Sequence, residues 1–237
     1  MRTVIRSITA ATLLVVGALM VQVPPVGGIT GGTEDVANVH SNVALVVFYQ
    51  PDGRFRCTGT LIAPRVVLTA AHCTYRDIGR VAVTFDPVIS RSEDEAERDI
   101  PRAADDSGPD DAISEIGFTE ADVTAPGYAG EQTWYLGTAR THPGYSDFTD
   151  LKNWNDTGVV ILDEAPGLPT TPLAPANYLD RFAQPRLNTL EVLTIGYGTE
   201  VRQADTGPRN PVPQRQPIVR RFTTEIGQKL TPQVLQT

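Results

Sequence analysis

The amino-acid sequence predicts an all-β protein. Short runs rich in β-branched residues, each about the length of a strand, recur through the chain. Glycine and proline number 20 and 19 among 237 residues, which favours many turns over long helices. No helical period is sustained for long after the N-terminal segment. The clearest strand-like runs are residues 43–49, 81–85, 158–162 and 190–195.

The N-terminal segment has the layout of a secretory signal. Arg2 and Arg6 precede an uncharged, apolar run at 8–23, and two prolines follow it. That run is shorter than the ~20 residues that a membrane-spanning helix needs, although an uncleaved membrane anchor is the alternative. We therefore assign residues 1–28 to a signal peptide with a short pro-segment, and we expect a secreted, extracellular protein.

The chain has two cysteines, Cys57 and Cys73. A secretory signal implies an oxidising compartment, where two cysteines can pair. A bond between them would stabilise the fold by roughly 3 kcal/mol in the chain-entropy description. The alternatives are two free thiols or a bridge to another chain.

The charge balance narrows the class of partner. The formal net charge is −8, and the N-terminal segment contributes only arginines, so the rest of the chain is more acidic still. Nucleic-acid binding requires a basic surface, so we expect no nucleic-acid partner. We also expect no membrane association once the signal is removed, because an acidic surface is repelled by anionic lipids.

Residues 86–111 form the most acidic part of the chain and contain several prolines. This composition predicts a solvated insertion on the surface. A calcium site is the alternative, because Ca²⁺ is bound by several carboxylate oxygens. The acids show no fixed ligand spacing, so we expect no metal and no cofactor.

The proline-rich segment 165–175 has the composition of a domain linker. It divides the chain into a first domain at 29–164, which carries the acidic insertion, and a second at 165–237. The second domain contains strand-like runs at 190–195 and 217–224. No internal repeat is present in the sequence.

His72 is the residue most suited to chemistry. It follows an apolar run at 66–68 and two small alanines, and Cys73 comes directly after it. A neutral imidazole accepts a proton near pH 7 when a second group, often a buried carboxylate, orients it. The alternative is an ordinary surface histidine beside a disulfide.

The stretch from Cys57 to Cys73, CTGTLIAPRVVLTAAHC, resembles the histidine motif of the chymotrypsin-like (trypsin-like) serine peptidases. The resemblance implies that His72 is a general base and that the fold is two antiparallel six-stranded β-barrels. Residues 29–32, Ile-Thr-Gly-Gly, are similar to the start of the mature family chain, with Thr30 as a departure. Residues 194–198 resemble the family segment G-W-G, which helps to line the substrate cleft, with tyrosine in place of tryptophan.

The same family has an orienting aspartate before an apolar strand, in a pattern like N-D-[IV]-A-L. Residues 155–162, Asn-Asp-Thr-Gly-Val-Val-Ile-Leu, resemble it, and His142-Pro143 resembles the segment that precedes it. The resemblance implies that Asp156 holds the imidazole tautomer and stabilises the imidazolium. Thr157 and Gly158 depart from the family pattern. The alternative aspartates are Asp147, Asp150 and Asp163.

The family nucleophile lies in a G-D-S-G-G motif, and this motif does not occur in the sequence. None of the serines lies in a glycine-rich turn, and none follows Asp156. The family's specificity pocket is missing with it. We therefore expect the second barrel to be incomplete, the sequence to be part of a longer peptidase, and the printed chain to be inactive. The serines are Ser7, Ser41, Ser90, Ser92, Ser107, Ser114 and Ser146.

Two functions fit these observations. The first is a secreted trypsin-like serine endopeptidase, which hydrolyses protein or peptide substrates by acyl transfer and is expected to be a monomer. The second is a non-catalytic homologue that uses the same scaffold to bind a partner. A complete G-D-S-G-G motif in the gene product would favour the first.

Overall fold

A computed structural model of the chain describes residues 32–51, 53–89, 123–124, 132–150, 153–182, 186–198, 218–230 and 235–236. The predicted signal peptide, residues 29–31 of the predicted mature start and the acidic segment from residue 90 onward lie outside these ranges. Within these ranges, no helix is both long enough and apolar enough to cross a membrane.

The described part of the chain consists mainly of antiparallel strands joined by turns and short 3-10 helices, so the all-β prediction is confirmed. Each of the four strand-like runs coincides with one strand, except that Phe85 and Leu190 lie just outside their strands. In chain order the strands are β1 Thr33–Glu34, β2 Val43–Gln50, β3 Gly53–Ala63, β4 Val66–Thr69, β5 Val81–Thr84, β6 Val88–Ile89, β7 Trp134–Thr141, β8 Gly158–Leu162, β9 Glu191–Gly196, β10 Ile218–Val219, β11 Arg221–Ile226, β12 Lys229–Leu230 and β13 Leu235–Gln236.

Six of these strands close into a barrel in the order β2-β3-β4-β8-β7-β5, and β5 pairs again with β2. Every pair is antiparallel. Closure removes the unpaired edges that an open sheet would expose. Alternate residues along the strands fill the interior with tightly packed apolar side chains. They include Ala44, Val46, Phe48, Leu61, Val67, Val81, Val83, Val160 and Leu162.

Strand β2 is buried on both faces, which explains its continuous apolar sequence. One face lines the barrel, and the other packs in a second apolar cluster with Ile89, Tyr197 and Ile218. The second cluster therefore joins the barrel to the C-terminal part of the chain.

The strands after residue 165 form open sheets in the part of the chain that the structure describes. A three-stranded sheet has the order β1-β11-β9, while β10 pairs with β6 and β12 pairs with β13. Strands β1 and β6, from the predicted first domain, thus pair with strands of the predicted second domain. The domain boundaries remain a prediction.

The proline-rich segment 165–175 has no regular secondary structure and runs along the barrel. The main-chain N–H of Thr171 donates to the carbonyl of Leu61 at 2.9 Å, and Leu168 packs against the barrel core. The segment is therefore bound to the barrel rather than extended away from it.

Arg220 is fully buried and joins three parts of the chain. Its Nε donates to the carboxylate of Asp35 at 2.8 Å, and both side chains are inaccessible to water. A buried charge is tolerated only when it is paired and its hydrogen-bonding groups are satisfied. Nη1 donates to the carbonyls of Val43 and Phe85 and to the hydroxyl of Tyr197, and Nη2 donates to the side-chain oxygen of Asn38.

Candidate active site

His72 lies on a single 3-10 turn, Ala71–Cys73, that follows strand β4. Ala71 and Cys73 are buried, and the side chain of His72 between them is half exposed. The alternation directs the imidazole outward while its neighbours anchor the turn in the barrel. A barrel strand followed by a buried turn therefore holds a solvent-accessible ring in a fixed place.

Cys57 and Cys73 form a disulfide with an Sγ–Sγ distance of 1.96 Å. Cys57 lies on strand β3, and Cys73 is the last residue of the 3-10 turn. The bond therefore attaches the turn that carries His72 to a barrel strand.

Asp156 contacts His72 through the ring and through the main chain. The distance from Nδ1 of His72 to Oδ2 of Asp156 is 2.9 Å, and that to Oδ1 is 3.1 Å. Oδ1 also accepts the main-chain N–H of His72 at 2.9 Å. The carboxylate is 22% exposed, against 50% for the ring, so the acidic partner is the more shielded of the two.

This geometry determines the protonation of the neutral ring. An ionised carboxylate only accepts hydrogen bonds, so the proton of a neutral imidazole lies on Nδ1. Nε2 is then an acceptor with a free lone pair. When Nε2 takes a proton, the adjacent carboxylate stabilises the imidazolium. The pair can therefore act as an oriented general base.

The tight turn at Asn155 presents Asp156. Asn155 adopts a left-handed conformation with φ 48°, which asparagine tolerates better than most residues. Its side-chain amide donates to the carbonyl of Gly144 at 2.9 Å. Beyond Asp156, the carbonyl of Thr157 accepts the main-chain N–H of His142 at 3.0 Å. These contacts fix the backbone on both sides of the carboxylate.

Gln50 supports the turn that carries His72. Its Nε2 donates to the carbonyl of His72 at 3.2 Å and to that of Tyr75 at 2.8 Å. Gln50 could not be identified from the sequence, because it lies at the end of a strand and in no recognisable motif.

Asp77 lies beside Gln50 with both carboxylate oxygens buried and without a hydrogen-bond partner in the described residues. Burial raises the pKa of Asp77 to about 7, and Gln50 opposes only part of that shift. The amide hydrogens of Gln50 are directed to the two carbonyls of the His72 turn, which leaves the carboxyl largely uncompensated. Asp77 is therefore a titratable group next to the candidate site.

An aromatic cluster lies on one side of His72. The ring of Phe148 is 6.0 Å from the imidazole, 5.6 Å from Tyr145 and 5.7 Å from Trp154. Phe148 has a backbone φ of 58°, a left-handed conformation that is rare for a bulky residue. Its side chain is 40% exposed. Burial and the nearby carboxylates of Asp147 and Asp156 raise the pKa of Tyr145 to about 12, so its hydroxyl stays protonated.

The alternative aspartates are engaged elsewhere. Asp147 accepts from the hydroxyl of Tyr145 at 3.4 Å, and Asp150 accepts from the amide of Asn153 at 3.1 Å. Asp163 pairs with Arg80. Of the four candidates, Asp156 is the one hydrogen-bonded to His72 in the part of the chain described.

Two described serines are relevant to the missing nucleophile. Ser146 accepts the main-chain N–H of Asp150 through its Oγ at 3.0 Å, so this hydroxyl stabilises a turn. Neither Ser146 nor Ser41 is hydrogen-bonded to His72. The other serines lie outside the described residues.

His142, which precedes the Asp156 segment, makes a local structural contact. Its Nδ1 accepts the main-chain N–H of Gly144.

The ligand atoms of Cys57, His72 and Cys73 lie within 4.8 Å of one another. Both sulfurs are bonded in the disulfide, and thiolates are the form that binds metals, so this group does not fit a metal ion. The calcium alternative concerns residues outside the described ranges and stays a prediction.

The segment that resembles G-W-G, residues 194–198, is expected from that resemblance to help line a substrate cleft. The side chain of Tyr197 in this segment is instead buried in the core.

Comparison with known proteins identifies the family. The family model described as Trypsin matches residues 29–114. The chain is 51% identical over 39 residues to the snake venom serine protease LmrSP-4 of Lachesis muta rhombeata, a match that covers 16% of this chain and 72% of that protein. The chain belongs to the trypsin family of serine peptidases. The family match includes His72 and both cysteines and ends before Asp156, so the geometry is the main argument for Asp156.

Other proteins match over shorter shares of their own length. Trypsin of Saccharopolyspora erythraea is 54% identical over 43 residues, which is 18% of this chain and 18% of that protein. The solved structure of HL collagenase has a TM-score of 0.49 at 15% identity, covering 83% of this chain and 62% of that chain. The structure of GrC has a TM-score of 0.45 at 20% identity, covering 84% and 66%. The chain thus spans less than two thirds of the length of either solved structure.

Proposed function

We propose that the chain carries the general-base half of a secreted trypsin-like serine endopeptidase. The observation that carries the proposal is the contact between Asp156 and Nδ1 of His72, which leaves Nε2 as a free acceptor on an exposed ring. A family scaffold with this pair is suited to removing the proton of an attacking hydroxyl.

The proposed reaction is hydrolysis of a peptide bond in two acyl-transfer steps. His72 takes the proton of a serine hydroxyl as the oxygen attacks the carbonyl carbon, and it then gives that proton to the leaving amine. In the second step, His72 takes a proton from water as the water oxygen attacks the acyl-enzyme, and it then returns that proton to the leaving serine oxygen. Asp156 keeps the ring in the required tautomer and stabilises the positive charge in both steps.

The nucleophile is not among the residues of the printed sequence. The G-D-S-G-G motif is absent from it, and the described Ser146 hydroxyl stabilises a turn. We therefore expect the printed chain to be unable to hydrolyse peptides by this route. The proposed reaction requires a serine and an oxyanion hole that the family motif would supply and that this sequence does not contain.

Secretion is part of the proposal. The basic and apolar N-terminal segment supports it, as does the oxidised pair of Cys57 and Cys73. Protein or peptide substrates follow from the family, whose relatives here include proteins named trypsin and venom serine protease.

Labelling with a serine-directed fluorophosphonate tests the proposal. We expect no label on the printed chain, and stoichiometric label on the product of the whole gene, abolished there by His72→Ala. Stoichiometric label on the printed chain would show that another nucleophile is present. A whole gene product that contains G-D-S-G-G and neither reacts nor cleaves peptides would contradict the peptidase proposal.

The alternative is a non-catalytic homologue that binds a partner through the same scaffold. The absence of the family motif from the sequence favours it, while the intact pair of His72 and Asp156 favours the peptidase, since binding needs neither residue. A whole gene product without any G-D-S-G-G motif, still folded and secreted, would support this alternative.

A further inference from the structure

Gly158 lies where the Asp156 segment meets the turn that carries His72. It is the first residue of β8, and it pairs with Thr69 of β4 on one side and with Thr141 of β7 on the other. Asp156 is two residues before it. The separation between β8 and the turn at Gly158 therefore affects the separation between Asp156 and His72.

The space at Gly158 is filled by Thr74. A Cβ at Gly158 would lie 2.4 Å from Oγ1 and 2.9 Å from Cγ2 of Thr74, and 2.9 Å from the carbonyl oxygen of Ala70. Contacts this short do not occur between real atoms, so any side chain here would require β8 and the segment 70–74 to shift apart. Ala70 and Thr74 flank the 3-10 turn of His72, so the turn would move with them.

Thr74 is held rigidly in that space. It is buried, and its hydroxyl donates to the carbonyl of Ala71 at 3.0 Å. The hydroxyl of Thr141 donates to the carbonyl of Thr74 at 2.7 Å, and the two hydroxyl oxygens are 3.0 Å apart. Rotation of the Thr74 side chain away from Gly158 would break the hydrogen bond from its hydroxyl to the carbonyl of Ala71, which is costly for a buried group. The disulfide at Cys73 further restricts the turn.

We propose that Thr74 and Gly158 are a pair of positioning residues that set the distance between His72 and Asp156. The inference rests on the proposed function, since positioning matters only if the two residues act together. It also explains why the chain departs from the family pattern at Gly158. An alanine, which the pattern N-D-[IV]-A-L has there, would overlap the side chain of Thr74.

The test compares Gly158→Ala, Thr74→Ala and the double variant with a matched control, Gly137→Ala. A Cβ at Gly137 would lie 2.6 Å from Cγ1 of Val160 and 2.9 Å from the carbonyl of Ile161, so the control introduces similar crowding in the same barrel. Gly137 pairs with Leu162 and Val81, away from the His72 turn. Both glycine variants should lower the melting temperature.

The distinguishing readout is the pair of ring-nitrogen ¹⁵N shifts of His72 in long-range ¹H–¹⁵N spectra, measured in mildly alkaline buffer where imidazole is neutral. His72→Gln assigns the signals. In the parent chain, we expect the Nδ1–H tautomer to dominate. Gly158→Ala should move the two shifts toward each other as the hydrogen bond to Asp156 weakens, and Gly137→Ala should not. Adding Thr74→Ala to Gly158→Ala should recover at least half of the change.

Unchanged His72 shifts in Gly158→Ala, with destabilisation equal to that of Gly137→Ala, would overturn the proposal. Purely additive effects of the two substitutions at 74 and 158 would also overturn it. If Gly158→Ala does not fold, the comparison of Thr74→Ala with Thr74→Ser decides. Serine keeps the hydroxyl and should preserve the tautomer, whereas alanine should not, and equal spectra would overturn the proposal.

These spectra need neither a nucleophile nor a substrate. Failure of the fluorophosphonate test with normal behaviour of the spectra would remove the peptidase function and leave the positioning intact. Normal labelling of the whole gene product, together with unchanged His72 spectra in Gly158→Ala, would support the peptidase function and overturn the positioning proposal.

Discussion

The carboxylate of Asp156 is bonded to the ring and to the backbone of the same residue, His72. Oδ2 lies 2.9 Å from Nδ1, and Oδ1 accepts the main-chain N–H at 2.9 Å. The second bond restrains the carboxylate relative to the turn, so the first bond keeps its direction. Among the described residues, the hydrogen bonds that orient the ring are made at Nδ1 and the main-chain N–H, not at Nε2.

Asp156→Asn should reverse the ring tautomer. The amide of asparagine can donate to Nδ1, which places the ring proton on Nε2 and removes the free acceptor. The ¹⁵N shifts of His72 would exchange their pattern, and the activity of a whole gene product would fall by about 10⁴-fold in kcat. Asp163→Asn, at an exposed ion pair with Arg80, is the control and should change neither. A normal tautomer in Asp156→Asn would contradict the assignment.

Asp77→Asn should stabilise the protein at neutral and alkaline pH. The pKa of Asp77 is raised to about 7 from 3.8, so the folded state binds more protons than the unfolded state between these values, and stability falls as pH rises through that window. Asparagine removes this penalty. Because the residue is only half-buried, we expect a gain of about 2 kcal/mol at pH 8 and little gain at pH 4.

Urea denaturation of Asp77→Asn and the parent at several pH values measures this difference. Asp180→Asn, which makes the same chemical change at an exposed position, is the control. A stability difference that does not vary with pH would contradict the raised pKa.

Arg220→Ala should be strongly destabilising. It leaves the buried carboxylate of Asp35 without its charged partner and removes a donor from the carbonyls of Val43 and Phe85. Removal of one member of a buried pair costs about 3–5 kcal/mol. Arg80→Ala, which breaks an exposed pair, should cost no more than about 1 kcal/mol. Chemical denaturation of both variants gives the comparison, and equal costs would contradict the role of burial.

Replacing Cys57 and Cys73 together by serine should lower the free energy of unfolding by roughly 3 kcal/mol. The ring of His72 would also lose one anchor of its turn, since Cys73 is the adjacent residue. Thermal unfolding with and without a reducing agent measures the first effect, and the ¹⁵N shifts of His72 measure the second. If a reducing agent does not change the thermal unfolding of the parent protein, the predicted stabilisation by the disulfide is wrong.

Local patterns in the sequence predict the strands of the barrel well. The runs of β-branched residues at 43–49, 81–85 and 158–162 correspond to barrel strands. In each of them the residue period, the composition and the length all favour a strand. The structure contains the bond between Cys57 and Cys73, one of the outcomes that the predicted oxidising compartment allowed. It also contains a hydrogen bond between His72 and Asp156, the two residues that the family resemblance singled out, and their catalytic roles stay predictions.

Long-range polar contacts could not be predicted from one sequence. Arg220 and Asp35 are 185 residues apart, and nothing near either residue marks it as buried. Gln50 and Thr74 resemble ordinary polar residues until the fold places them against the turn of His72. Their roles depend on which strands become neighbours, which a local pattern does not specify.

The pairing of β1 with β11 has a consequence for synthesis. Thr33 and Glu34 leave the ribosome long before Phe222 and Arg221, the residues with which they pair. The six strands of the closed barrel all lie between residues 43 and 162, so they can assemble while the N-terminal segment still lacks its neighbours. Contacts of such large sequence separation form slowly. We therefore expect the N-terminal strand β1 to dock last, although it is made first, so its main-chain groups stay unpaired while the barrel folds.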